Sequence, residues 1–192
     1  MPALLELFRD GRAVGGAPRG LLPLRGASGL MTKYKIFALV TALTAGLDLF
    51  TKWLVEARLE LYGMVPVIPN FFSLTYVKNT GAAFSILSNA GAVRVPLLVG
   101  ISIAAMALMV WMVKGQEEGE KKIPLYLGLI MGGALGNLVD RIRYGAVVDF
   151  LLVYYKSWQW PAFNVADSAI CVGVGLILLS EILKARKPQS QN

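Results

Sequence analysis

Residues 95–113 read VPLLVGISIAAMALMVWMV and contain no charged side chain. A helix needs about 20 apolar residues, at about 1.5 Å of rise each, to cross the hydrocarbon core of a bilayer. Three further apolar runs lie around this one, at about residues 36–55, 123–140 and 163–183. Four such runs in 192 residues, of which 56% are hydrophobic and 16% charged, argue against a soluble domain with buried helices. The sequence predicts an integral membrane protein with four transmembrane α-helices.

Basic residues indicate how the four spans are oriented. They precede the first span, lie in the link between the second and third spans, and follow the fourth span. They are Lys33, Lys35, Lys114, Lys121, Lys122, Lys184, Arg186 and Lys187. An even number of spans places these three regions on one side, and their excess of Lys and Arg identifies that side as the cytoplasm. Both termini are therefore predicted to be cytoplasmic, with residues 56–94 and 141–162 outside.

The two outer segments predict a small β-rich cradle. Residues 71–78, FFSLTYVK, are rich in aromatic and β-branched side chains, which favours a strand, and NTG at 79–81 is typical of a turn. Residues 147–155, VVDFLLVYY, fit either a second strand or an interfacial helix. We expect this cradle to pack against the outer ends of the helices.

The remaining residues are predicted to be tails. Residues 1–30 are rich in arginine and glycine and lack the order of a signal peptide, so we expect a disordered segment. Met31 stands directly before the first basic flank and has the context of a start residue. We expect a single membrane domain over residues 31–187 and a short C-terminal tail over residues 188–192.

The composition excludes several kinds of chemistry. The chain has no histidine and a single cysteine, Cys171, which removes a Ser-His-Asp triad, a Cys-His dyad, a histidine-ligated zinc site and an intramolecular disulfide. The formal net charge is +7, but the basic residues are scattered between apolar runs, which argues against nucleic-acid binding. We expect no metal and no cofactor.

Two aspartates fall at the same predicted depth. Asp140 follows Lys122 by 18 residues on an outward-running helix, and Asp167 precedes Lys184 by 17 residues on an inward-running one. At about 1.5 Å per residue, both carboxylates lie about 26 Å from the cytoplasmic flank, near the outer edge of the hydrocarbon. Consecutive antiparallel helices are commonly neighbours, so we expect the two carboxylates to face one another.

An asparagine precedes each of these aspartates by one helical turn. Asn137 and Asn164 stand on the same helix faces as the acids, and their amides are able to donate to a carboxylate or a substrate carbonyl. Two close carboxylates share one proton, since both do not ionise easily. The ionised acid activates a water that attacks a peptide carbonyl, and the protonated acid supplies the leaving amine. The pattern indicates aspartic proteolysis.

Other interpretations stay open on these residues alone. A small transporter or proton pathway also uses intramembrane carboxylates, but spreads them across the depth of the bilayer. A non-catalytic scaffold protein would use the GxxxG spacing of Gly132 and Gly136 for helix packing, and either aspartate would then be dispensable. A Ser-Lys dyad of Lys78 and Ser85 gains no support from their separation in a strand-turn region.

Five motifs resemble, in order, those of the bacterial lipoprotein signal peptidases, or signal peptidases II. They are DLFTK at 48–52, KNTGAAFSIL at 78–87, GNLVDR at 136–141, VVDF at 147–150 and FNVADS at 163–168. The resemblance covers the chain from about Met31 to Lys187. It implies four transmembrane helices with an outer β-rich cradle, in the inner (cytoplasmic) membrane of a bacterium, with the active site near the outer face.

The resemblance also implies an activity and its partners. The family consists of aspartic endopeptidases that remove signal peptides from prolipoproteins, cleaving before a cysteine that already carries diacylglycerol. Cyclic peptide antibiotics such as globomycin occupy the same site. The implied partners are therefore diacylglyceryl-modified prolipoproteins, membrane lipids and these antibiotics.

The resemblance assigns a role to each matching residue. Asp140 and Asp167 would be the catalytic dyad. The residues expected to hold the substrate or the dyad are Asn79, Asn137, Arg141 and Asn164. Asp48 and Lys52, four residues apart on one helix face, are expected to form a structural ion pair that supports the site, and Asp149 is expected to be a structural anchor.

Overall fold

The computed structural model describes residues 25–81 and 91–186, with side chains described from Thr32 onward. It contains four long helices: α1 (Arg25–Arg58), α2 (Arg94–Lys114), α3 (Lys122–Tyr144) and α4 (Val165–Ala185). A short 3-10 turn, Gly91–Val93, leads into α2. Within the described residues, each of the four helices is long and apolar enough to cross a bilayer, which confirms the predicted architecture.

Helix α1 begins earlier than the sequence predicted. It starts at Arg25, so residues 25–30 belong to this helix. Once a helix has formed, each added residue gains a backbone hydrogen bond at little further entropic cost, which lets α1 extend beyond its membrane span. Residues 1–24 and 187–192 lie outside the described part of the chain, and the predicted domain limits of 31 and 187 stay predictions.

The strands form one antiparallel sheet. In the order of the sheet they are β1 (Met64–Ile68), β2 (Phe72–Asn79), β3 (Val147–Tyr155) and β4 (Trp158–Gln159). Strand β2 confirms the strand predicted at residues 71–78, and residues 147–155 are strand rather than interfacial helix. Strands β1 and β4 were not predicted, because β1 carries Pro66 on the edge of the sheet and β4 has only two residues.

Glycines on α3 allow the other helices to approach it closely. A side chain at Gly132 or Gly136 would collide with α1, at Thr44 and at the carboxylate of Asp48, respectively. A side chain at Gly133 would collide with the backbone of α4. The close helix contacts predicted from the GxxxG spacing are therefore present, and α3 packs against α1, α2 and α4.

Two local signals fix the chain at the outer ends of α3 and α4. Gly145 adopts a left-handed conformation (φ 66°), and its N–H donates to the carbonyl of Arg141 at 3.0 Å, which ends α3 and turns the chain into β3. Asn164 is the N-cap of α4, and its side chain accepts a hydrogen bond from the N–H of Asp167 at 2.8 Å. The end of α3, the start of β3 and the start of α4 thus meet in one region.

Buried apolar side chains form two separate clusters. One cluster joins α1 to the sheet and contains Val55, Tyr76, Val148 and Phe150. The other lies between α2 and α3 and is called here the inner apolar cluster; it contains Met109, Val113, Leu127 and Met131. Buried polar side chains of α1, α3, β3 and the start of α4 belong to neither cluster. They surround the site described next.

Candidate active site

A cavity of about 650 Å³ is lined by α2, α3, α4 and the sheet. Apolar side chains from the three helices form much of its wall, among them Ile101, Ala105, Met109, Ile130 and Ile170. Its polar lining includes Asn79, Asn137, Arg141, Asp149 and Asp167. An apolar cavity with a few convergent polar groups is the usual form of a ligand or active site.

Asp167 stands in the first turn of α4 and is half-buried. Its Oδ1 accepts a hydrogen bond from the side-chain amide of Asn137 at 2.8 Å. Its Oδ2 accepts from the backbone N–H of Asn164 at 3.3 Å, which completes a capping box. The negative charge also lies at the N-terminus of α4, where the helix dipole favours it.

Asp149 lies in β3 and is almost fully buried. Its Oδ1 accepts from the side-chain amide of Asn164 at 2.8 Å, and its Oδ2 accepts from that of Asn79 at 3.0 Å. Burial, followed by the negative charge of Asp167, raises the pKa of Asp149 from 3.8 to about 7, although the two amide hydrogen bonds act in the opposite direction. Asp149 therefore retains a proton at pH values where an exposed aspartate has lost it.

Asn164 connects the two acids directly. Its side-chain Nδ2 donates to Asp149, while its Oδ1 and backbone N–H hold the backbone and carboxylate of Asp167. Asn164 is fully buried, so these contacts are shielded from competing water. The two carboxyl groups that line the cavity therefore share one asparagine as a common support.

Among the described contacts of Asp140 there is none with Asp167, its predicted partner. The carboxylate of Asp140 forms an ion pair with Lys52 at 2.9 Å and accepts from the N–H of Val148 at 3.1 Å. It is buried behind the cavity, and the acid that lines the cavity with Asp167 is Asp149. The predicted depth was close, since the helical neighbour Asn137 reaches Asp167, but residue counting along a helix gives no information about the direction of a side chain.

The predicted ion pair between Asp48 and Lys52 is present, with the two charged atoms 2.8 Å apart. Lys52 also reaches Asp140 and donates to the Oδ1 of Asn137 at 3.0 Å. The other oxygen of Asp48 accepts from the backbone N–H of Ala166 at 2.8 Å. The pair is thus part of a larger buried group that the sequence did not predict.

The remaining predicted site residues, Asn79 and Arg141, both line the cavity. Asn79 ends β2, and its Oδ1 accepts from the N–H of Gly81 at 3.0 Å, which fits the predicted turn. Arg141 donates through Nη1 to the carbonyl of Asn137 at 3.3 Å, and its Nε has no hydrogen-bond partner among the described residues.

The alternative Ser-Lys dyad is not supported by the described residues. The ammonium of Lys78 lies 4.4 Å from the centre of the Tyr144 ring, a cation–π contact. Its predicted partner, Ser85, lies outside the described part of the chain. In that described part, no group of three His, Cys, Asp or Glu side chains has an arrangement that could hold a metal ion.

Comparisons with known proteins agree with this architecture. A family profile described as Signal peptidase (SPase) II matches residues 40–183. The chain is 47% identical over 159 residues to the lipoprotein signal peptidase of Geobacter metallireducens, covering 83% of this chain and 98% of that protein. It is 44% identical over 151 residues to the lipoprotein signal peptidase of Syntrophotalea carbinolica, covering 79% and 93%, respectively.

A solved structure shares the fold. A bacterial membrane enzyme, determined by the in meso method at 2.3 Å resolution, superposes with a TM-score of 0.72 and 27% sequence identity. The match covers 81% of this chain and 93% of that one. The four helices and the sheet described above are therefore a known membrane-enzyme fold.

Proposed function

The chain belongs to the signal peptidase II family, and from this premise we propose that it cleaves prolipoproteins as an aspartic endopeptidase with Asp149 and Asp167 as its catalytic pair. Family membership makes it a peptidase of the bacterial inner membrane that crosses the membrane several times and removes signal peptides from prolipoproteins. The catalytic type and the residues that carry it rest on the geometry of the site.

One observation carries the proposal: Asn164 holds both acids that line the cavity. Because the pKa of Asp149 is raised to about 7, Asp149 keeps its proton beside the charge of Asp167. One protonated and one ionised carboxyl group are the two partners that aspartic proteolysis requires. Asp140 lacks this arrangement, since Lys52 already neutralises it behind the cavity.

The proposed reaction assigns one step to each acid. Asp167 removes a proton from a water molecule as that water attacks the scissile carbonyl. Asp149 donates a hydrogen bond to the oxygen on which negative charge develops, and its proton then passes to the leaving amine. Arg141 and Asn79 line the cavity, and we assign to them the binding of carbonyl groups of the extended peptide.

The apolar wall of the cavity fits the lipid part of the proposed substrate. The side chains from α2, α3 and α4 lie at membrane depth, where acyl chains and the apolar part of a signal peptide reside. We assign this wall to the diacylglyceryl group, and we propose cleavage just before the cysteine that carries it. A cyclic peptide antibiotic such as globomycin would occupy the same cavity and compete with the substrate.

The proposed topology follows from the ends of the helices. The link between α2 and α3 carries Lys114, Lys121 and Lys122 and is assigned to the cytoplasm. The sheet and the two acids lie at the opposite ends of these helices. Both termini are then cytoplasmic, and the site faces the outer side of the membrane, where lipoproteins emerge.

The test compares three isosteric variants in a gel-shift assay with purified protein and a diacylglyceryl-modified prolipoprotein. We expect Asp149→Asn and Asp167→Asn to lose at least about a thousandfold in turnover, because each removes one proton-transfer group, while both stay folded. Asp140→Asn is expected to keep measurable turnover, since an amide oxygen is still able to accept from Lys52.

The opposite pattern would overturn the assignment. If folded Asp140→Asn were inactive and Asp149→Asn were active, the catalytic acid would be Asp140 after all. If all three variants retained full turnover, the aspartic mechanism itself would be wrong.

A further inference from the structure

Lys52 is a buried lysine without contact to the cavity, yet it touches the network that supports both proposed catalytic acids. Only 2% of it is exposed. Its ammonium lies 2.8 Å from Asp48, 2.9 Å from Asp140 and 3.0 Å from the Oδ1 of Asn137. All three neighbours are acceptors, which suits an ammonium group that only donates.

Each carboxylate around Lys52 binds the backbone directly beside a catalytic acid. Asp48 accepts from the N–H of Ala166, the residue before Asp167. Asp140 accepts from the N–H of Val148, the residue before Asp149. The cluster therefore holds the first turn of α4 and the start of β3 at a fixed distance from α1.

The contact between Lys52 and Asn137 determines the orientation of the Asn137 amide. Since a lysine ammonium only donates, the atom of Asn137 that faces Lys52 must be its oxygen. The NH₂ group of Asn137 then points to the other side, where it donates to Asp167 at 2.8 Å. A reversed amide would place two donors against each other at Lys52 and two oxygens against each other at Asp167, and both contacts would be repulsive.

We propose that Lys52 is a positioning residue of the peptidase reaction, which fixes the amide of Asn137 so that its NH₂ group holds the carboxylate of Asp167 in the reactive geometry. This inference rests on the proposed function, in which Asp167 activates the water. Asn164 assists, because its Nδ2 donates to the same oxygen of Asn137 at 3.2 Å.

A purely structural role for Lys52 makes a different prediction. Lys52 would then serve only as the countercharge for Asp48 and Asp140, whose side chains are almost completely buried. Replacing Lys52 alone would leave both carboxylates without a partner, and the protein would lose stability whichever role is correct. The test therefore has to remove the two negative charges together with the positive one.

Two matched triple variants separate these roles. Both carry Asp48→Asn and Asp140→Asn, whose amide oxygens are still able to accept from Ala166 and Val148. The methionine triple variant adds Lys52→Met, which supplies no donor. The glutamine triple variant adds Lys52→Gln, which has nearly the same shape as methionine and donates through its amide. The two proteins differ at position 52 only in the ability to hold the oxygen of Asn137.

The measurement is steady-state cleavage of a diacylglyceryl-modified prolipoprotein, with monodisperse elution as the criterion of folding. We expect the methionine triple variant to lose about 10- to 100-fold in kcat with little change in KM, because a misplaced catalytic group affects the transition state more than substrate binding. The kcat of the glutamine triple variant should be at least about fivefold higher than that of the methionine triple variant. Equal kcat values in the two triple variants would overturn the positioning role, as would the loss of folding in both.

A double-mutant cycle tests whether Lys52 acts through Asn137. Asn137→Ala is measured alone and in the methionine triple variant. If Lys52 acts through the amide of Asn137, removing that amide causes little further loss of kcat in the methionine triple variant. If the two residues act independently, the fold-losses in kcat multiply. Asp149→Asn and Asp167→Asn are measured in parallel: if they retain turnover, the proposed function fails, and if they are inactive while the methionine triple variant equals wild type, only the positioning role fails.

Discussion

Helix α1 buries a lysine near each of its ends, and the two lysines differ in what they bind. Lys33 and Lys52 are both only 2% exposed. Lys33 donates to the backbone carbonyls of Lys114, at 3.1 Å, and Gln116, at the end of α2. Lys52 binds two carboxylates and an amide oxygen at the site. Equal burial on one helix thus serves two different purposes.

The partners explain the difference. The last carbonyls of a helix have no partner within it and carry its partial negative charge, so Lys33 completes the end of α2 beside the inner apolar cluster. Lys52 instead compensates full negative charges whose other contacts hold the start of β3 and the first turn of α4. The end of the bundle near Lys33 thus has a neutral partner for its lysine, and the end near the sheet has buried charged partners beside the cavity.

The largest expected effect comes from removing each lysine in turn. Lys52→Met leaves two buried carboxylates without a countercharge and should lower the free energy of unfolding by about 3–5 kcal/mol. Lys33→Met leaves only neutral carbonyls, which water at the membrane surface is able to reach, and should cost about 1 kcal/mol. Thermal unfolding in detergent measures both. Equal losses of stability would show that the nature of the partner, carboxylate or carbonyl, does not matter.

The second prediction concerns the inner apolar cluster. Leu127 is almost fully buried there, and Leu127→Ala should lower the free energy of unfolding by about 3 kcal/mol through lost contacts and a residual cavity. Its turnover per folded molecule should stay near the wild-type value, because Leu127, unlike Met109 of the same cluster, is not among the residues that line the cavity. A fall in kcat at temperatures where the variant is folded would contradict the division between the two ends.

The sequence predicted the four spans and strand β2, because apolar length and residue type determine them locally. Counting residues along the predicted helices also placed Asp140 and Asp167 at nearly the same depth, because the rise per residue of a helix is constant. The direction of the Asp140 side chain depends on Lys52 in a different helix, which counting residues along one helix does not include. Long-range contacts of this kind do not leave a signal in local spacing.

Asp149 was predicted to be an anchor because its strand gave no sign of a cavity. Residues 147–150 are all buried, so β3 lacks the alternation of apolar and polar side chains that identifies which face is exposed. One signal was available in VVDF. A carboxylate within a strand covered on both faces needs dedicated hydrogen-bond donors, and such a residue is a candidate for function.

The third prediction tests the close packing of the outer end. A methyl group at Gly136 would meet the carboxylate of Asp48, so Gly136→Ala should lower the free energy of unfolding by about 1–3 kcal/mol and reduce turnover as well. Gly175→Ala is the matched control, because a methyl group there has nothing within 4 Å. It should be neutral or stabilise α4 by up to about 1 kcal/mol. Similar losses in both would mean that the cost lies in the helices and not in the contact with Asp48.

The last expected effect is the pH dependence of stability that Asp149 confers. Its pKa rises from 3.8 to about 7 on folding, so between these values the folded protein binds a proton that the unfolded chain has released. Stability therefore falls as pH rises through this window, by at most about 1.4 kcal/mol per pH unit, and is constant with respect to this group above it.

Glu120, in the link between α2 and α3, provides the contrast. The backbone N–H of Lys122 donates to its carboxylate at 2.7 Å and lowers its pKa below 4.5, so its contribution to stability is present above that value and is lost only as pH falls further. Glu120 therefore adds no slope from pH 5 to 7, and in that range the difference between wild type and Asp149→Asn reports Asp149. The decline of stability with pH should be shallower in Asp149→Asn than in wild type, while Glu120→Gln should follow wild type. Parallel curves for wild type and Asp149→Asn would show that Asp149 is ionised throughout, and the proton that the proposed reaction requires would then have to reside on another group.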